Sequence, residues 1–322
     1  MHDTWSAIVQ SNVTCVNEVR AVGPMQPRGL RATIPRMPTP PEDAPEAAST
    51  TVRRRPEQLL LAFTGELMLA GGAGPAPASV LIGVLGELGV GEAATRAALN
   101  RMVTRDLLVP ERAGRTVSYR LTPDSERVLG QARDRVFDAD PFAPRGTGWT
   151  LVTFSVPESR RDVRHRVRAQ LVWAGFGLLR DGLWIAPGEV DVATALGAVH
   201  DDGDTPPGHD DALELLAFRA HEVPGFSAAR SVRTAWPLEA MRAHHERFQD
   251  RWWGATPDAG HELRDLTALV ADWLDLLRTV PRLPADLLPA DWPGARSVEA
   301  FRAGHAAFAA PARAELARRL EP

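Results

Sequence analysis

Five side chains between residues 96 and 104 have the types and spacing suited to reading a nucleic acid: Arg96, Ala97, Asn100, Arg101 and Thr104. On a helix these positions share one face. An arginine fork there matches guanine O6 and N7, and an asparagine amide matches adenine N6 and N7. Thr95, Ala98, Leu99 and Met102 fall at i, i+3, i+4 and i+7 and form the face expected to be buried. Further on, Arg112 and Arg115 bracket a turn at Ala113-Gly114, where guanidinium groups suit phosphate contact or minor-groove insertion. Another arginine group, Arg160, Arg161, Arg164 and Arg168, lies on one face of a separate helix and has the fork geometry for phosphate. A solvated helix face produces the same pattern.

Other chemistries are poorly provided for. The histidines show no recognised metal spacing and no H-E-x-x-H pattern, and the adjacent His244 and His245 point to different helix faces. No G-x-S-x-G is present, and the 37 basic residues are all arginine, so no lysine can form a Schiff base. The single cysteine, Cys15, excludes an intramolecular disulfide and a cysteine-rich zinc site, and a lone thiol suits a reducing cytoplasm. No cofactor, no metal and no enzymatic activity are expected.

The elements that must position these residues are legible in outline. With 322 residues, 44% hydrophobic and 24% charged, the chain has soluble-globular composition and room for two or three domains. The net charge of −4 hides an asymmetry: residues 53–121 hold nine arginines against six acids, whereas residues 122–322 hold twenty-four against thirty. The basic excess therefore falls around the arginine-bearing helix and turn. Leu67 to Gly86 is uncharged, but Gly71, Gly72, Gly74, Pro75 and Pro77 break it, so no membrane span is expected. The first thirty residues do not read as a secretory signal.

Residues 1–54 read as a disordered proline-rich tail. A helix is expected over 57–70, a second from a Ser79 cap to about Leu88, and a third from Glu92 to about Arg105. A β-hairpin built from 107–109 and 116–121 follows. This order predicts a winged helix-turn-helix, completed by a linking helix over Pro123 to Phe137, in a domain spanning 55–140. A middle domain spans 145–228, with strands at 150–156, 183–186 and 214–220 and helices at 160–173 and 190–199. Its order suggests a ferredoxin-like α+β sandwich. Trp149, Trp173, Phe176 and Trp184 are expected in its core, and His200 to Asp211 reads as an exposed loop. A helical C-terminal domain, 229–322, holds helices at 238–253, 262–277 and 298–320. A proline-punctuated turn from Leu283 to Gly294, anchored by Trp292, locks the last two together.

Three strings in this order resemble the PaaX family of transcriptional repressors. The first is Thr95 to Met102, continuing to Arg115-Thr116-Val117-Ser118-Tyr119-Arg120-Leu121. The second runs from Trp149 through Pro157-Glu158 and Arg160-Arg161, then Trp173-Ala174-Gly175-Phe176-Gly177 and Gly182 to Pro187. The third is Leu283 to Gly294. The resemblance implies a homodimer that binds an operator in double-stranded DNA, and repression relieved by an acyl-CoA-type metabolite such as phenylacetyl-CoA. Arg160, Arg161, Arg164 and Arg168 would then hold the phosphates of that effector. It also implies that the middle domain is similar to the CRISPR endoribonuclease fold. The first strand here ends Ser155-Val156-Pro157-Glu158, without the aspartate that holds metal in those nucleases. A metal-dependent nuclease or a CoA-ester hydrolase built on the middle domain is the competing class. Leu107-Leu108 replaces the family's usual Gly-Trp, and Pro123-Asp124-Ser125 lacks its common glycine.

Overall fold

The computed structural model describes residues 54–69, 74–200, 213–225 and 227–321. Residues 1–53 of the proline-rich stretch and nearly all of the His200 to Asp211 segment lie outside the described residues; Arg54, expected at the end of the tail, is instead anchored to Asp272. The fold is mixed α+β, with two small antiparallel sheets and many helices. No described helix is long and apolar enough to cross a membrane.

The chain enters α1 at Pro56–Phe63, with proline at the first helical position, where no N–H is needed. The helix does not continue as α to residue 70. Thr64–Leu69 widens into a π-helical turn at Thr64-Gly65, a pair with weak α-propensity. Ser79 does not cap the next helix. Ala76–Pro77 instead forms a two-residue strand, β1, and α2 runs Ala78–Glu87 directly from Pro77. A turn through Gly89 (φ +80°), a conformation that favours glycine, leads to α3 at Glu92–Thr104. Strands β2 (Leu108–Ala113) and β3 (Thr116–Leu121) make the expected hairpin, longer in its first strand, and β1 adds a third strand beside β3. Helix α4, Pro123–Val136, is capped by Thr122, whose hydroxyl accepts from the Ser125 N–H.

The second sheet comprises β4 (Trp149–Ser155), β5 (Gly177–Arg180), β6 (Leu183–Pro187) and β7 (Glu214–Ala220) in the order β5-β6-β4-β7. Strand β5 is an addition to the expected set; its four residues are too few to show an alternating pattern. Helices α5 (Arg161–Trp173) and α6 (Val192–His200) complete a βαββαβ order of two interleaved split units. The rest is helical: α7 (Ala228–Ala235), one helix earlier than expected, then α8 (Leu238–Trp252), α9 (Glu262–Thr279) and α10 (Gly294–Leu320).

The apolar residues form two cores. One is confined to the second sheet and its helices, with Val152, Val167, Leu171, Phe176 and Trp184 at its centre. The other runs without a break from α1–α3 into α8–α10, from Leu59, Phe63 and Leu81 to Trp273, Phe301 and Phe308. Trp273 is fully buried and stacks on Phe301 at a centroid distance of 4.5 Å. Ion pairs join the same halves: Arg54 holds Asp272 through two hydrogen bonds of 2.6 and 2.7 Å, Arg319 holds Glu87 at 2.7 Å, and His305 and Arg313 meet the buried Glu66 at 3.0 and 3.1 Å. Trp149 belongs to this long core, correcting its expected place in the middle domain, and Trp173 is only half-buried. The reason is geometric. Trp149, Leu151 and Ile185 share the sheet face that packs on the long core, while Val152 and Trp184 point to the opposite face, and Trp149 stacks on Trp236 at 6.4 Å. Nearby, a Cβ on Gly177 would lie 2.6 Å from the Ala235 carbonyl oxygen and 2.7 Å from the Trp236 ring.

The turn from Leu283 to Gly294 does join α9 to α10. Trp292 packs partly buried against the His245 ring, edge-on at 5.7 Å. His245 itself is fully buried and shares a 2.9 Å hydrogen bond with Ser297, while Gln249 donates to the Ser297 hydroxyl and the Pro293 carbonyl at 2.8 Å.

Candidate nucleic-acid interface

Helix α3 is seated by Thr95, Ala98, Leu99 and Met102, none more than 1% exposed. The Thr95 hydroxyl donates back to the Gly91 carbonyl at 3.3 Å. Burying that face turns Arg96, Ala97, Asn100, Arg101 and Thr104 to solvent, and all five are exposed. Arg96 is braced by Glu92 one turn earlier at 2.7 Å, both side chains remaining well exposed. Among the described residues the Asn100 carboxamide has no hydrogen bond, so its donor and acceptor both face water. The Thr104 hydroxyl is engaged with the Asn100 carbonyl at 3.0 Å and is less available than its position suggests.

Arg101 has a partner the sequence did not reveal. Glu57, on α1, accepts from Arg101 Nε at 2.5 Å and lies 3.1 Å from Arg105, while Arg101 stays half-exposed. The separation of 44 residues carries no local signal. Glu57 thus orients two guanidinium groups at the C-terminal end of α3 without covering them.

The hairpin follows α3 in the chain, and its first strand packs against that helix. Ala113 pairs with Thr116 across a two-residue turn whose first residue, Gly114, takes φ +59°, a conformation glycine adopts without cost. Arg112 and Arg115 are exposed, and among the described residues neither has an ion pair or side-chain hydrogen bond. Arg120, further down the hairpin, is held by Glu111 at 2.6 Å. Tyr119 is half-buried against the long core. The surface therefore offers two guanidinium groups of α3, held in place by Glu92 and by Glu57 of α1, a free amide between them, and two unpaired guanidinium groups at the hairpin tip. Opposite charge on a polyanion could engage all of them.

The arginines of α5 stand elsewhere, on the outer face of the second sheet's helix. Arg161 pairs with Glu158, Arg164 donates to the Val156 carbonyl at 2.7 Å, and Arg168 lies over the Trp184 ring at 5.8 Å. Arg160 occupies the N-cap position of the helix, its side chain making no capping hydrogen bond. The structure does not bring these four together with the α3 surface, and the three traced here are engaged locally. Among the described residues no group of three or more His, Cys, Asp or Glu side chains could hold a metal ion.

Three family models match the chain. One, described as a PaaX-like protein, covers residues 62–125; the PaaX protein central Cas2-like domain covers 143–200; and the PaaX-like protein C-terminal domain covers 236–318. The transcriptional repressor PaaX of Escherichia coli (strain K12) is 29% identical over 228 residues, covering 66% of this chain and 68% of that protein. Among solved structures, an uncharacterized protein from Mycobacterium tuberculosis aligns with a TM-score of 0.48 and 26% identity, over 82% of this chain and 98% of that one.

Proposed function

For a chain that belongs to the PaaX family, as this one does, we propose the role of a transcriptional regulator that binds operator DNA through a winged helix-turn-helix made by α2, α3 and the β2–β3 hairpin. In this reading α3 enters the major groove, where Arg96, Asn100 and Arg101 meet base edges or phosphates. Ala97 packs close to the groove wall, Thr104 flanks it, and Arg112 and Arg115 hold the backbone from the wing. The observation that carries the reading is the division of α3: one face fully seated in the core, the other presenting these polar groups, with two unpaired arginines at the tip of the hairpin that follows.

The central sheet is read as a ferredoxin-like platform, and a homodimer presents two α3 helices to a pseudo-palindromic site. The protein acts in the cytoplasm, and a small metabolite of the acyl-CoA class releases it by binding one arrangement of the protein better than the other. Of the α5 arginines, Arg161, Arg164 and Arg168 stay available to such an effector only by giving up their local partners.

The test is duplex retention on the gene's own upstream DNA across a salt series. The expected result is a steep, linear fall of log affinity with log salt. Replacing both Arg112 and Arg115 by alanine lowers the slope by about two, if each arginine meets one phosphate. Absence of retention at low salt overturns the reading, and cleavage of nucleic acid dependent on a divalent metal replaces it with an enzyme.

A further inference from the structure

Two helix ends of opposite polarity meet beside the exposed face of α3. The first turn of α1 carries Glu57, the last turn of α3 carries Arg101, and Arg105 is its C-cap residue. A carboxylate suits a helix start and a guanidinium group a helix end, so both dipoles favour these charges. Glu57 Oε1 accepts from Arg101 Nε at 2.5 Å, and its Oε2 accepts from Arg105 at 3.1 Å. One carboxylate thus spans two guanidinium groups one helical turn apart. The Glu57 side chain is 16% exposed, against 49% for Arg101 and 31% for Arg105. The carboxylate is the sheltered end of this group, and Arg101 is the end in water.

The contact decides what Arg101 has left to offer. A guanidinium group carries its N–H donors in a planar fork. Glu57 takes the Nε–H, and among the described residues nothing takes the two terminal nitrogens. Those nitrogens are the end of the fork, whose spacing matches guanine O6 and N7. Arg96 is held differently, by Glu92 of its own helix, and both partners of that pair are about 60% exposed. Glu57 belongs to another helix, and that helix is fixed. Leu59 and Leu60 are fully buried, and Arg54 just before α1 is fastened to Asp272, which also accepts from the Trp252 indole at 3.0 Å. Arg101 is therefore referenced to the long helical body as well as to α3. A side chain ordered before binding loses less freedom on contact, and a fork that cannot swing to a phosphate penalises a wrong base.

We propose that Glu57 is a positioning residue for sequence reading: it presents the terminal nitrogens of Arg101 to a guanine and uses Arg105 as its second anchor. This role rests on the regulator reading, and it separates specificity from affinity. A carboxylate near the duplex repels phosphate, so Glu57 weakens binding to every sequence while sharpening the preference for one.

Retention is measured on two duplexes: the stretch of the gene's own upstream DNA protected in a footprint, and a shuffled duplex of the same composition. Glu57→Gln keeps the shape and removes the charge. It should strengthen shuffled-duplex binding about twofold and lower the ratio of the two affinities about tenfold. A merely structural role would instead lower both affinities in proportion. In an Arg101→Ala background, Glu57→Gln should change the ratio by less than about twofold. Placing 7-deazaguanine, which lacks the N7 acceptor, at successive guanines of the protected stretch should find one that costs the parent about tenfold and Glu57→Gln less than about twofold. If Glu57→Gln fails to fold, Glu57→Asp serves: it draws the carboxylate back by one methylene, lowering the ratio with no gain on the shuffled duplex.

The proposal is overturned if the folded variants keep the parent's ratio, if both affinities fall together, if Glu57→Gln acts as strongly without Arg101, or if no guanine responds. A parent that discriminates between the duplexes while its variants do so equally well removes the positioning role and leaves the regulator reading. A parent that retains neither duplex removes both.

Discussion

Helices α1–α3 and the central βαββαβ sheet bury their apolar faces in opposite ways. The sheet keeps its own core on the face closed by α5 and α6, and lays Trp149, Leu151 and Ile185 of its other face on the long core. The α3-bearing helices share theirs with α8–α10, and charged pairs from Arg54 to Asp272 and from Glu87 to Arg319 cross the same boundary. The part that presents the polar surface of α3 is therefore not a detachable reader on a stalk. It is one end of a long helical body, and the sheet is the element attached to that body through a segment and a seam. A signal that moves the sheet need not disturb the seating of α3.

The comparison breaks most clearly at the shared core. Trp273→Ala removes a fully buried ring stacked on Phe301 and should cost about 3–5 kcal/mol. Urea unfolding should show duplex binding lost together with the C-terminal helices. Loss of one without the other would mean that the cores are separable after all. Leu171→Ala, in the sheet's own core and also fully buried, should cost about 2–5 kcal/mol and lower only the sheet's transition. A single merged transition in both variants would contradict the division.

Acid sharpens the contrast. Burial, aided by His244 and Arg242, pushes the His245 imidazole from 6.5 down to about 4. The unfolded chain then binds more protons between those values, so stability rises with pH there. The contribution is complete above about pH 6.5 and is lost as pH falls towards 4, up to about 3 kcal/mol. The helical body should soften first in urea melts at pH 5, and His245→Gln should flatten that dependence while leaving the sheet's transition alone. The smallest effect lies on the surface. Arg101→Ala should weaken specific duplex affinity by about 1–3 kcal/mol if it reads a base, with no change in either melt. Unchanged affinity removes Arg101 from the interface.

What the sequence made legible follows from periodicity. The buried face of α3 is a local pattern and appears where expected; β3 forms over the expected residues, but Val117, Ser118 and Tyr119 are all half-buried and do not alternate. Ala76–Pro77 carries no such pattern, since its strand exists only through pairing with Ser118 and Tyr119 some forty residues away. Glu57 could not be matched to Arg101 for the same reason. The sharing of a core was hidden too. Leu59, Trp149 and Trp273 read as ordinary apolar positions, and hydrophobicity alone does not say against which partner a side chain is buried.

Gly177 gives the seam a particular sensitivity. Its backbone runs so near Ala235 and Trp236 that one added methyl group has nowhere to go. A single carbon at that point acts as a wedge, prising strand from helix while every residue of both interiors stays as it was. The mutual pose of the two bodies is thus set by an atom the chain does without.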